Sequence, residues 1–209
     1  MELHKADGLR YVVITSVTRD DLADGGSEHI ARCVRELKTK IPDLIVEALV
    51  PDFNGNEEAL KTIIGSGVDV VSHNIETIER LTPQIRDLRA GYRQSLEVLA
   101  RLRELSDGKV ITKSGLMVGF GESGDEVKKA MEDLRDVGVE IVTIGQYLQP
   151  TRTARHFPVK EYVSPETFER CKKTGYELGF KFVASGPFVR SSYRAAEPFA
   201  RGILRSRRR

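Results

Sequence analysis

Residues 109–145, KVITKSGLMVGFGESGDEVKKAMEDLRDVGVEIVTIG, contain one complete strand–helix–strand unit. The run KVITKSGLMVG (109–119) predicts a strand, because β-branched side chains suit a pleated surface. SGDE at 123–126 is a capping box, its serine and glutamate each placed to satisfy a backbone N–H at a helix start. Val127, Ala130, Met131 and Leu134 follow at helical spacing, and Gly138 supplies the stop. VEIVTIG (139–145) is apolar almost throughout, as suits a strand covered on at least one face. A strand, a helix and a second strand joined by short turns make a right-handed crossover with parallel strands.

The same unit repeats along the chain. Strands are expected at YVVITSV (11–17), LIVEALV (44–50), VDVVSH (68–73) and KFVAS (181–185), besides the two already named. Amphipathic helices are expected at 27–39, 56–65, 92–105, 124–137 and 165–178. SPE at 164–166 places a serine cap before a proline at the first helical position, and Gly179 ends that helix. No linker or change of composition interrupts the alternation, so the fold class is α/β with a parallel sheet in one domain.

The totals exclude several classes. The chain has 209 residues, 40% hydrophobic and 31% charged, with a net charge of +2, and so implies no nucleic-acid or membrane partner. No run of 18 apolar residues and no signal-peptide pattern occurs, which leads to the expectation of a cytoplasmic protein. The last nine residues, RGILRSRRR, carry five arginines and no acid; taking them from +2 leaves the rest at −3. Residues 194–209 are therefore expected to be a basic, disordered tail. The two cysteines, Cys33 and Cys171, sit at helical spacing with apolar neighbours and read as core thiols.

Polar residues gather where each expected strand ends. They include Ser16, Asp20 and Asp24-Gly25-Gly26 after the first strand, then Asp52 and Asn54, then His73, Asn74 and Glu76. Lys113 and Ser114 interrupt the fourth strand, Gln146 and Gln149 follow the fifth, and Arg190 follows the sixth. The carboxyl ends of parallel strands are where a barrel builds its active site. Lys113 is the least ordinary of these, since a lysine facing a barrel interior needs a partner or a ligand. Two chemistries are open on these residues alone. One is a barrel lyase forming a Schiff base on Lys113, with Asp20, Glu76 or His73 moving the proton. The other is a phosphate-ligand enzyme using Asp24-Gly25-Gly26 ahead of a helix N-terminus.

Six segments together resemble the lipoyl synthase family of radical S-adenosylmethionine enzymes. They are GLRYVVITSVTRDDLADGGSEHIARCV, VEALVPDFNGN, VSHNIETIERL, TKSGLMVGFGES, IVTIGQYLQPT and ASGPFVRSSY, in that order from Gly8 to Tyr193. The resemblance implies a TIM-like partial (β/α) barrel over residues 8–193. It implies S-adenosylmethionine and two [4Fe–4S] clusters as cofactors, one generating a 5′-deoxyadenosyl radical and the auxiliary one giving up its sulfur. The implied reaction inserts sulfur at C6 and C8 of an octanoyl chain on a carrier domain or H protein, with ferredoxin or flavodoxin as reductant. Gly25 and Gly26 are implied to approach the methionine part of the cofactor. Asn74, Glu76, Lys113 and Ser114 are candidates for its polar groups, with Glu76 and Lys113 the candidate catalytic pair. Gln146 and Gln149 are candidates for the rim. Ser192, or Ser191, is the implied oxygen ligand of the auxiliary cluster, kept anionic by Arg190.

The chain departs from that family in one respect. The CxxxCxxC of the radical cluster and the three-cysteine motif of the auxiliary cluster are not in it. Cys33 and Cys171 cannot replace them, since a cubane needs several clustered thiolates. The expectation is a barrel lacking its first strand, with an unpaired edge beside residues 11–17, inactive by itself; the alternative is a non-catalytic remnant that binds S-adenosylmethionine or a carrier domain.

Overall fold

The computed structural model describes residues 9–151, 153, 156–192 and 202. Six strands form a single sheet: β1 (Tyr11–Thr15), β2 (Ile45–Leu49), β3 (Val70–Ser72), β4 (Ile111–Val118), β5 (Ile141–Gln146) and β6 (Phe182–Gly186). Their spatial order is their sequence order, and every neighbouring pair is parallel. Five helices make the crossovers: α1 (Ser27–Lys40), α2 (Glu57–Ile64), α3 (Tyr92–Leu105), α4 (Gly124–Asp136) and α5 (Pro165–Glu177). Among the described residues β1 pairs only with β2, and β6 only with β5, so the barrel is open.

The expected elements are found with ends displaced by a residue or two. The capping box forms as read. Glu126 N donates to Ser123 Oγ at 3.2 Å, and Ser123 N donates to Glu126 Oε2 at 2.8 Å. Ser164 caps α5, and Gly138 and Gly179 adopt positive φ of 82° and 87° behind their helices. The 3₁₀ turns Phe53–Gly55 and Glu79–Leu81, and the short turn Thr82–Ile85, were not foreseen. They are too short to carry a period.

The pleat divides the strand residues into two sets. Tyr11, Ile45, Val70, Ile111 and Ile141 pack against one another inside the barrel as an apolar floor. The alternate positions Val46, Val71, Leu116, Val142, Ile144 and Val183 face outward and join the helices in two larger clusters. Burial on both faces is why these strands read as apolar runs. The cysteines depart from expectation, both being only half-buried. Cys33 sits at the margin of the apolar stripe of α1 and Cys171 at the edge of the larger cluster. The tail at 194–209, apart from Gly202, lies outside the described residues, as does Tyr193 of the RSSY motif.

Candidate active site

A cleft of about 330 Å³ opens at the carboxyl ends of β1, β2 and β3. Ser16, Asp20, Asp52, Asn54, His73, Asn74 and Glu76 line it, all from the strand ends singled out in the sequence. Arg86, Asp87 and Arg89 also line it, from the long connection after β3. Nothing in the local pattern pointed to those three, because they lie in an irregular segment ten or more residues past the strand.

Glu76 reaches the cleft through an unusual backbone. Its φ is +62°, in the left-handed region that a non-glycine side chain rarely adopts. It is held there from both sides: its N–H donates to Gly115 O at 3.1 Å, and its carbonyl accepts from Met117 N at 2.9 Å. Such strain persists where surrounding structure over-determines it, commonly at functional sites. Asn74 Nδ2 donates to Glu76 Oε1 at 3.0 Å, while Asn74 Oδ1 is buried without a hydrogen-bond partner among the described residues. Burial pushes the Glu76 carboxyl up from its ordinary value, against the opposing pull of Asn74 and Arg86.

His73 is a buried structural residue beneath this cleft. Nδ1 lies 3.0 Å from Val50 O and Nε2 2.9 Å from Ser95 Oγ. A carbonyl only accepts, so Nδ1 carries the proton and Nε2 accepts from the serine. Burial holds the imidazole below its ordinary pKa, so the ring is neutral.

The cleft brings Asn74 and Glu76 together with Asp20 and His73, and the remaining sequence candidates lie elsewhere. Lys113 is not on the rim. It is completely buried on the inward face of β4, with Nζ 2.7 and 3.0 Å from the two carboxylate oxygens of Glu47. Tyr11 and Ser72 donate their hydroxyls to the same carboxylate. The lysine therefore has the partner its position required, and that partner, Glu47 of β2, went unnoticed inside LIVEALV. Held in this way, Lys113 is poorly placed as a Schiff-base nucleophile. Ser114, next along the pleat, points outward toward the helices, and its buried hydroxyl has no partner among the described residues.

Gln146 also faces outward. Its amide donates to the carbonyls of Tyr147 and Glu161 and accepts from Val163 N, pinning the segment before α5. Gln149 donates to His156 O at 3.2 Å within the loop after β5. Gly25 and Gly26 form the entry to α1 with φ of 60° and 83°. Asp24 accepts there from Gly26 N at 3.0 Å and Glu28 N at 2.9 Å, so its carboxylate occupies the place a phosphate would take. That geometry removes the phosphate-ligand alternative. Ser191 and Ser192 form a turn after β6, the other edge strand. Arg190 Nη1 donates to Val189 O at 2.7 Å and Pro187 O at 3.3 Å, with no bond to either serine.

A parallel barrel with a polar, charged cleft at the carboxyl ends of its strands has the construction of a barrel enzyme. The chain belongs to the radical SAM superfamily, whose model matches residues 1–134. It is 54% identical over 202 residues to the mitochondrial lipoyl synthase of Drosophila melanogaster, covering 97% of this chain and 53% of that protein. The chain thus spans about half the length of the curated relatives it matches. Among solved structures it is similar to HydG, a maturase of the [FeFe]-hydrogenase, with a TM-score of 0.62 and 14% identity, covering 94% of this chain and 50% of that one. Methylornithine synthase (PylB) gives a TM-score of 0.62 at 10% identity, covering 91% and 63%. At those identities the two structures support the fold alone.

Membership in this superfamily implies S-adenosylmethionine and a [4Fe–4S] cluster. The cleft fits the first: the open acceptor on Asn74 and the singly bonded Glu76 carboxylate suit the donor groups of an amino acid or a ribose. The cluster has no such fit, since no group of three or more His, Cys, Asp or Glu side chains able to hold a metal occurs among the described residues.

Proposed function

We propose that this chain is the barrel portion of a lipoyl synthase and that its cleft holds S-adenosylmethionine. The observation that carries the reading is the 54% identity sustained over 97% of the chain. The whole enzyme would insert sulfur at C6 and C8 of an octanoyl chain borne by a lipoyl carrier domain or H protein. Ferredoxin or flavodoxin would supply electrons, and a second, auxiliary [4Fe–4S] cluster the sulfur. The bound cofactor contributes the one-electron chemistry that abstracts hydrogen. The residues of this chain bind and orient. Asn74 and Glu76 accept from the ligand's donor groups, and the strained backbone of Glu76 fixes where they point. The apolar floor and the Lys113–Glu47 pair close the barrel beneath, leaving ligands the upper end. Ser191 or Ser192 as cluster ligand, with Arg190 beside it, remains part of this proposal. No helix among the described residues is long and apolar enough to cross a membrane. The relatives' names are mitochondrial, which lends no support to the cytoplasmic expectation.

The test is a chimera in which this chain replaces the matching 202 residues of the fly protein. Reconstituted anaerobically, it should convert an octanoyl-lysine peptide to the lipoyl form, read by mass spectrometry. A chimera that folds and loads its clusters but makes no lipoyl product would refute the reading.

A further inference from the structure

Ser95 lies on the buried stripe of α3, between Tyr92 and Leu99, and is itself completely buried. A buried hydroxyl needs partners, and a helical serine commonly finds one in the carbonyl one turn back. Ser95 points elsewhere. Its Oγ lies 2.9 Å from His73 Nε2 and 2.9 Å from Arg86 Nη1. The three residues come from three places: the end of β3, the start of α3 and the connection between them. The backbone of Ser95 is fixed by its N–H bond to Gly91 O at 3.0 Å, so the hydroxyl starts from a rigid point.

Counting hydrogens gives each bond its direction. The proton of His73 Nδ1 goes to Val50 O at 3.0 Å, which leaves Nε2 a bare acceptor. Burial and the nearby charge of Arg86 keep the ring neutral, against the pull of Val50 O and of Asp52. Ser95 has one hydrogen, and Nε2 takes it. Toward Arg86 the hydroxyl can then only accept, which is what a guanidinium, all donors, requires. Nη1 has one further acceptor, Ile75 O, at the longer distance of 3.4 Å. Arg86 in turn lines the cleft, and Ser95 does not.

We propose that Ser95, its hydroxyl oriented by His73, is the positioning residue that holds Arg86 at the cleft. His73 and Ser95 form a short relay from the end of β2 to the cleft wall, Val50 O to His73 to Ser95 to Arg86. Its parts are buried and all of its hydrogens are assigned, so the cation at the cleft has one preferred place before any ligand arrives. A guanidinium fixed beforehand loses less freedom on binding than one that must be ordered at that moment. The inference rests on the function proposed above for the cleft.

Nuclear magnetic resonance of the isotope-labelled chain reads the relay without a ligand, and calorimetry with S-adenosylmethionine reads its effect on binding. His73 should show the Nδ1–H tautomer at neutral pH. Arg86, assigned by the signals missing from Arg86→Gln, should show slowed rotation of its guanidinium. Ser95→Ala should leave the tautomer, which Val50 holds, but free that rotation. It should also weaken S-adenosylmethionine about tenfold, the loss expected for one bond to a charged group. Ser95→Thr keeps the hydroxyl and should restore both readouts. An Nε2–H tautomer, or Arg86 signals indifferent to Ser95→Ala, would overturn the relay and leave the cleft assignment standing. The expected spectra with no binding of S-adenosylmethionine by the unaltered chain would overturn that assignment and leave the relay standing. An alanine variant with a freed Arg86 and unchanged affinity would refute the positioning role. One that is merely less stable, with both readouts unchanged, would show a serine that only packs, and the proposal would fail.

Discussion

Lys113→Met is the substitution that tests the interior of this barrel most directly. Both the lysine and Glu47 have side-chain exposures of 0%, and Nζ contacts both carboxylate oxygens, at 2.7 and 3.0 Å. Methionine keeps most of the lysine's apolar stem, so the change removes the charge with little loss of packing. What remains is a buried carboxylate that accepts from the hydroxyls of Tyr11 and Ser72 but has lost its counter-charge. Deleting one partner of a buried pair typically costs about 3–5 kcal/mol. That is a large part of the roughly 5–15 kcal/mol that holds an ordinary domain folded. With about 2–4 °C lost per kcal/mol for a domain of this size, the melting temperature should fall by roughly 6–20 °C. Urea unfolding followed by far-UV circular dichroism is the assay, since the chain has no tryptophan. Glu47→Gln alone should be similarly damaging, because it strands the ammonium. The double variant should cost clearly less than the sum of the two, by about 1 kcal/mol or more. Single variants with an unchanged midpoint, or a strictly additive double, would refute the argument that these charges stabilise each other.

Three further outcomes are expected. Gly25→Ala forces a side chain onto a φ of +60° with its Cβ 2.8 Å from Phe53 Cδ1, and should cost about 1–2 kcal/mol from the left-handed strain alone. An unchanged urea midpoint would count against that reading. His73 is buried neutral, so the unfolded chain binds its proton more readily than the folded one. Its contribution is complete above the ordinary imidazole value of about 6.5 and is lost as pH falls through that value toward the lowered folded one. His73→Gln should therefore flatten the stability profile between about pH 7 and 5 relative to the parent. Glu76 behaves oppositely: its raised pKa means the folded state holds its proton longer, so stability declines as pH rises past the ordinary carboxyl value. Glu76→Gln should be as stable as the parent or more so at pH 7, while binding S-adenosylmethionine less well. A variant that loses stability at pH 7 would contradict the desolvation argument.

The sequence by itself determined the elements and their order. Helix 92–105 was legible to the residue, and the capping box at 123–126 formed as written, because periodicity and capping act over a few neighbouring positions. Asn74 and Glu76 could be picked out because they follow an apolar run directly. The tertiary structure decided which side chains share a space. Glu47 reads as one polar residue in an apolar strand until the register places it beside Lys113, 66 residues away. Ser114 and Gln146 carry suitable groups but stand on the outward side of the pleat, and a one-residue difference in phase reverses every such assignment. Arg86 comes from a segment with no repeating pattern, and only the packing of its turn against α3 brings it to the cleft. Local propensities set the period of each element; the site depends on contacts between residues far apart in the chain, which no local pattern records.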